Sequence, residues 1–410
     1  MPARSLNTSL PCSAKPRLTA FSGLKALAVI GIIACHMGAL PGWDLCARMV
    51  EVLFLVSGFC MAYNHFCPSD TPTFQPSDNT QTAAENTSNA SAEAHNTASR
   101  TTVPTALNTS SRNTSHHTAS FGCNNPAINT AALSAVAYPS GWQAVKAKLP
   151  RLYPVHFATF LLQLFFVPAW SSQTIGFILS FGLLNLTLQH AWFQSTQFMF
   201  NNVSWFLSAL LFCYFITPAL SRAAARAKAA RCLFLFFALL VAIRLYIEYM
   251  RSSYPSYIRL DLHANPLVQA LNYSLGFIAG VFFLSPSPLN AVLRQRLSFA
   301  AATLLETLFA GLYLAACYSL GGTAYRLFFV LLALPVIYVL AFGRGALSRI
   351  ISAKPLLWFE TVNLEIFMFH SFILYHFPVN ADNPWYYAEF AAITLAAAAG
   401  FHLLFRRRTK

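Results

Sequence analysis

Charge is scarce in this chain: only 10% of its 410 residues are Asp, Glu, Lys or Arg, and acidic residues number 13 against 27 basic ones. An ordinary soluble domain carries about 25% charged residues, so a surface made for water is excluded over most of the length. Cysteine pairing is absent as well. The nine cysteines are odd in number and form no Cys-x-x-Cys, which gives no sign of a disulfide framework or a zinc site, and no metal is expected. No cleavable leader is evident, because the first apolar block begins near Phe21 and is already long enough to span a bilayer.

What fills the sequence instead is apolar: 56% of residues, with a mean hydropathy of +0.50. The apolar runs reach the roughly 20 residues that a transmembrane helix needs, which predicts an all-α, polytopic bundle embedded in a lipid bilayer. The net charge of +14 would suit a polyanion, but most cations stand beside the apolar blocks. That is the placement produced by the positive-inside bias, so topology is favoured over nucleic-acid binding.

Two blocks occur within 18–66, joined by a turn at Leu40-Pro41-Gly42, and others begin near Leu152 and at about 174–190, 204–221, 232–250, 267–284, 298–319, 326–342, 357–377 and 386–405. Basic clusters fall at Lys15/Arg17, Lys146/Lys148/Arg151, Arg222/Arg226/Lys228/Arg231, Arg294/Arg296, Arg344/Arg349/Lys354 and Arg406/Arg407/Arg408/Lys410. All six share one side only if 174–190 does not cross. Its polar end, Asn185, Gln189 and His190, fits a segment that dips in or lies at the interface. The expectation is therefore about ten spans with both termini cytoplasmic.

Residues 1–17 read as a polar tail and 406–410 as a basic one. Between them, 18–66 and 141–405 form one membrane domain, interrupted by 67–140, an Asn/Thr/Ser/Ala-rich insertion with too little apolar surface to offset the entropy of ordering. Its sequons at Asn86, Asn89, Asn108 and Asn113 would matter only in a secretory compartment, against which the expected topology argues.

Ionisable residues inside spans mark candidate sites. Lys25 and His36 are eleven positions apart, hence on nearly the same helix face and roughly 16 Å apart along the axis. Glu51 begins the returning helix at a depth similar to His36. The expected topology also brings His370 into the outer half and sets Asn201, Asn202 and Trp205 near the outer mouth. An imidazole beside a carboxylate suits general-base chemistry, and basic groups at the opposite mouth suit a phosphorylated ligand. Together they point to group transfer from a cytosolic donor to an acceptor hydroxyl held near the outer side.

The motifs resemble those of the acyltransferase family 3 membrane proteins, which include bacterial O-acetyltransferases of O-antigen and other glycans. SGLKALAVIGIIACH is similar to the family's basic-residue, ten-residue, His pattern, and VEVLFLVSGF to its VDLFFVLSGF helix. KLPRLYP resembles the R-x-x-R-[IL]-x-P approach to the third span, VSWFLSALLFCY the WFL block, and NLEIFMFH the S-[YL]-x-[IL]-Y-L-x-H near the end. The blocks follow family order over roughly 18–66 and 142–405.

The resemblance implies His36 as catalytic histidine and Glu51 as the family's acidic residue. It implies Lys25, Lys148 and Arg151 on the acyl-CoA side, with acetyl-CoA the expected donor. A glycan or lipid-linked saccharide would be the acceptor, with His370, Trp205 and Asn202 as candidate binding residues, in a bacterial inner membrane. Two departures stand out: Lys25 and Lys148 replace the usual Arg, losing its bidentate fork, and the insertion is longer than usual. No hydrolase-like domain is expected after the last helix, so a partner for acyl delivery would be a separate chain.

Other classes remain open on the residues alone. One is a transporter or flippase for a polyanionic or glycan substrate, and another is a catalytically silent scaffold. Individual residues also have plainer readings. Arg48 is placed to pair with Glu51, Arg244 with Glu248, and His370 to bond between helices. Glu306 and Glu365 read as isolated carboxylates of open role, and His156, His376 and His402 as boundary residues.

Overall fold

The computed structural model describes residues 17–40, 43–66, 139–227, 230–255, 261–320, 326–380 and 382–406. Residues 1–16 and 407–410 of the expected tails, and 67–138 of the insertion with its sequons, lie outside the described residues. All described regular structure is helical. We number the helices α1 (Thr19–His36), α2 (Trp43–Phe66), α3 (Gly141–Lys146), α4 (Leu149–Phe166), α5 (Ile175–Leu186), α6 (Trp205–Arg226), α7 (Ala230–Ser253), α8 (Pro266–Leu284), α9 (Pro288–Arg296), α10 (Phe299–Ser319), α11 (Arg326–Leu340), α12 (Ala346–Ile351), α13 (Lys354–Thr361), α14 (Asn363–His376) and α15 (Tyr386–Arg406).

Local chemistry fixes many helix starts. Ser140 and Gln143 form a reciprocal capping box on α3, and Asn265, Ser287 and Ser298 accept backbone N–H groups at the starts of α8, α9 and α10. Among the described residues seven helices are long and apolar enough to cross a membrane, and α13 with α14, bent by 69° at Val362, brings the number to eight. The chain is a multi-pass membrane protein. A count of ten needs α4 and α11 as well, and α11 has only 15 residues. Leu304, Leu308, Leu312 and Tyr318 of α10 and Phe234, Leu235 and Leu239 of α7 are exposed, an outward apolar surface of the kind lipid covers.

The centre is the pair α2 and α8. A Cβ on Gly58 would stand 2.0 Å from the Tyr273 carbonyl oxygen, and one on Gly276 2.0 Å from that of Leu55, so the two backbones touch. Gly276 and Gly280, four apart, form the small-residue stripe that permits this approach. The basic segments around Arg294, Arg344 and Arg349 lie toward the Lys25 end of α1. Gly23 of α1 abuts Ile351, Arg344 donates to the carbonyls of Arg294 and Leu297, and Arg294 donates to Phe283.

The 174–190 block forms α5, of 12 residues, too short to cross alone. Asn185 near its end is met by His156 midway along α4 (Nε2 3.0 Å from the Asn185 oxygen), and its own amide donates to Met199 and Ser204. From that depth the chain wanders irregularly to α6. Irregular backbone within a bundle must be satisfied by the protein itself. Here Thr196 donates to His190, Ser208 to Leu188, and His190 Nε2 lies 2.9 Å from Ser204 Oγ. His156 and His190 are thus buried anchors of this segment; for His156 that replaces the boundary reading.

Candidate functional site

At one end of α1, a cavity of about 190 Å3 opens among α1, α2, α4, α6, α13 and α14. Its polar lining holds Lys25, Lys148, Arg151, Glu360, Asn363 and Ser57. Three cations expected from separate stretches of sequence therefore share one space with one carboxylate. Lys148 and Arg151 stand at the start of α4, where the helix dipole itself favours an anion and disfavours cations. Burial, and then the Arg151 charge, lower the Lys148 pKa; its ammonium lies 5.7 Å from the centre of the Tyr214 ring. Lys25 Nζ is 4.0 Å from Glu360 Oε1, and Arg17 approaches the other oxygen at 3.6 Å. Glu360 was not singled out by sequence reading; only its place in the first basic-flanked turns of the 357–377 block gave a hint.

At the other end of α1, His36 Nδ1 is 2.9 Å from His370 Nε2, the two rings stacked at 13°. His370 Nδ1 lies 2.6 Å from the Phe367 carbonyl oxygen. A carbonyl only accepts, so His370 carries its proton on Nδ1 and presents Nε2 as an acceptor. His36 then donates from Nδ1, and its lone pair sits on Nε2, which faces Cys46 Sγ at 3.5 Å. The network thus holds His36 in the tautomer whose Nε2 can take a proton. His370 is fully buried and His36 half-buried.

The orienting partner brought to His36 is thus His370. Glu51, expected in that role, accepts instead from Arg48 Nη1 at 3.1 and 3.2 Å, with both residues almost wholly buried. Arg244 and Glu248 form a second buried pair at 2.6 Å. Trp205 packs its edge against His263, ring centres 4.6 Å apart. Asn202 is exposed and accepts from Ser371, the neighbour of His370, while buried Asn201 donates to Met368. Leu188 and Phe200, flanking this irregular stretch, have φ of 56° and 57°, left-handed values costly for such side chains and often kept near functional sites.

The two ends are joined through Phe367. Its side chain lines the cavity and packs on Phe206 at 5.2 Å, while its carbonyl anchors His370. The two carboxylates of open role have structural partners. Glu306 accepts from the amides of Gly345 and Ser348 and from the Ser348 hydroxyl, holding the start of α12, and Glu365 pairs with His402 at 2.8 Å. His376 Nε2 lies 3.1 Å from the Phe166 oxygen.

Fold and site together define an all-α multi-pass membrane protein with a basic cavity and a histidine pair at opposite ends of one helix. No family model, no curated protein and no solved structure matches the chain.

Proposed function

We propose that this protein is an integral-membrane O-acyltransferase. In this reading it moves an acyl group, acetyl in the simplest case, from a cytosolic acyl-CoA to a hydroxyl of an extracytoplasmic or lipid-linked glycan. The observation that carries it is the division of α1: Lys25 shares a cavity with Lys148 and Arg151, and His36, eleven residues on, is hydrogen-bonded to His370. The Lys25 end then faces the cytoplasm of a bacterial inner membrane.

The chemistry follows from the tautomer. The acceptor hydroxyl attacks the thioester carbonyl while His36 Nε2 takes its proton. The tetrahedral intermediate collapses, the C–S bond breaks, and the CoA thiolate leaves with the proton returned by the His36 imidazolium. The imidazolium is steadied by His370 Nε2, which accepts from His36 Nδ1 throughout. The three cations hold the CoA phosphates, and the extended pantetheine arm covers most of the roughly 16 Å between residues 25 and 36. Lining this path, Phe206 and Phe367 exclude water from the thioester.

The test is acceptor-dependent thiol release from acetyl-CoA by the purified protein, paired with mass spectrometry of envelope glycans from a strain lacking it. Release that requires acceptor and His36, with loss of acylated glycan in the deletion strain, is expected. Glycan or polyanion movement across vesicles without thiol release would replace this reading with a transporter or flippase.

A further inference from the structure

Three arginines lie beyond the histidine pair, on α2, α7 and α11, and the mechanism above uses none of them. Arg48 is 1% exposed and Arg244 0%, and each belongs to an ion pair that engages only part of its guanidinium. Nε and Nη2 of Arg48, Nε and Nη2 of Arg244 and Nη1 of Arg326 are buried with no hydrogen-bond partner. Leaving charged donors unsatisfied in a membrane bundle is costly, and here five such nitrogens come from one neighbourhood. The first turn of α11 joins the two pairs, because the Leu327 amide, next to Arg326, donates to the Glu248 that pairs with Arg244, and Phe329 packs on Arg48.

The carboxylates nearby leave these donors unmet, and Glu248 Oε2 is itself buried without a hydrogen-bond partner. Glu51 accepts from Arg48, Glu248 Oε1 also accepts from the Leu327 amide, and Asp261 accepts from Gln197 and the amides of His263 and Ala264. The cluster is continuous with the histidine pair: Cys46, two residues before Arg48 on α2, lies 3.5 Å from His36 Nε2. Phe329 supports the Arg48 guanidinium face at 4.3 Å, leaving its edge for a ligand.

We propose that Arg48, Arg244 and Arg326 form a second binding site, for an oxyanion carried by the acceptor: a sugar carboxylate or a phosphate of a saccharide carrier. Planar guanidinium donors suit both groups. Its role in placing the acceptor hydroxyl near His36 rests on the transferase reading; anion binding itself does not.

The test is thermal unfolding of the full chain in detergent, titrated with sodium glucuronate or sodium phosphate against chloride at constant ionic strength. Lys148→Ala/Arg151→Ala removes the other basic site from the readout. In that background a saturable rise in midpoint is expected, and adding His36→Ala leaves it in place even if transfer itself is disproved. Adding Arg326→Gln, which leaves both ion pairs intact, weakens the apparent affinity at least tenfold. Arg244→Gln/Glu248→Gln, which removes one pair as a unit, does the same. Tighter glucuronate binding assigns a sugar carboxylate, and tighter phosphate binding a phosphorylated carrier. The absence of a saturable shift with either anion, or a shift unchanged by both arginine variants, overturns the proposal.

Discussion

His36 Nδ1 donates to His370 Nε2 across 2.9 Å, joining residues 334 positions apart in the chain. On the transferase reading, an imidazole whose proton inventory is set by a second imidazole, itself fixed by a backbone carbonyl, makes a separable prediction for each ring. His36→Ala should cost about 10²–10⁴ in turnover. His370→Ala should cost less, roughly 10-fold to 100-fold, because the base remains but loses its tautomer lock. Equal acyl-transfer rates for wild type and His370→Ala, with chemistry rate-limiting, would remove the second ring from the mechanism.

The cavity predicts a split in donor kinetics. Lys148→Ala or Arg151→Ala should raise KM for acyl-CoA more than it lowers kcat. Glu360→Gln should act in the opposite direction, lowering KM about threefold, since its carboxylate competes with phosphate for Lys25 across a partly solvated gap. A higher KM in Glu360→Gln would mean that the carboxylate positions Lys25 rather than opposing the ligand.

Lys148 adds a pH dependence. Only the ammonium binds phosphate, and burial and Arg151 lower its pKa. Donor affinity should therefore weaken at high pH sooner than an ordinary lysine would allow, and Lys148→Arg should abolish that alkaline rise in KM. Parallel KM profiles for wild type and Lys148→Arg would count against the lysine as the titrating group.

Glu51 is expected to matter for stability. Glu51→Ala strands the Arg48 guanidinium and should destabilise the protein by about 3–5 kcal/mol, read as a lower unfolding midpoint in detergent. Donor KM in the folded fraction should stay near wild type.

Glycine contacts give a packing test. Gly58→Ala would drive a methyl into the Tyr273 carbonyl and should cost about 1–3 kcal/mol or more. Gly400→Ala, with nothing within 4 Å of the new carbon, should be neutral or slightly stabilising. Comparable unfolding midpoints for the two variants would show that the α2–α8 approach is not constraining.

Apolar length and cation placement made the helices legible, since both follow directly from the cost of putting charge and bare backbone in lipid. The helices α1 and α2 fall within 18–66 as read, and Lys25, Lys148 and Arg151 line one cavity; Pro41 and Gly42 lie outside the described residues. Hydropathy could not reveal the 69° bend at Val362, because the residues on both sides are equally apolar and the break is a matter of dihedrals. Partner choice was equally hidden. Whether Glu51 would meet Arg48 or His36 depends on side-chain direction, and the meeting of Glu365 with His402 depends on how α14 and α15 pack. Glu360 escaped notice because only the folded bend turns it toward Lys25.

Backbone against backbone at Gly58 and Gly276 makes α2 and α8 a single stiff post, neither helix able to slide without atoms overlapping. That post carries Leu53 and Ser57 on one wall of the basic cavity. The opposite wall is made by the first turn of α4 and the elbow between α13 and α14. Facing that post, one continuous stretch of backbone links the two ends of the site: Glu360 and Phe367 line the cavity, and the Phe367 carbonyl anchors His370.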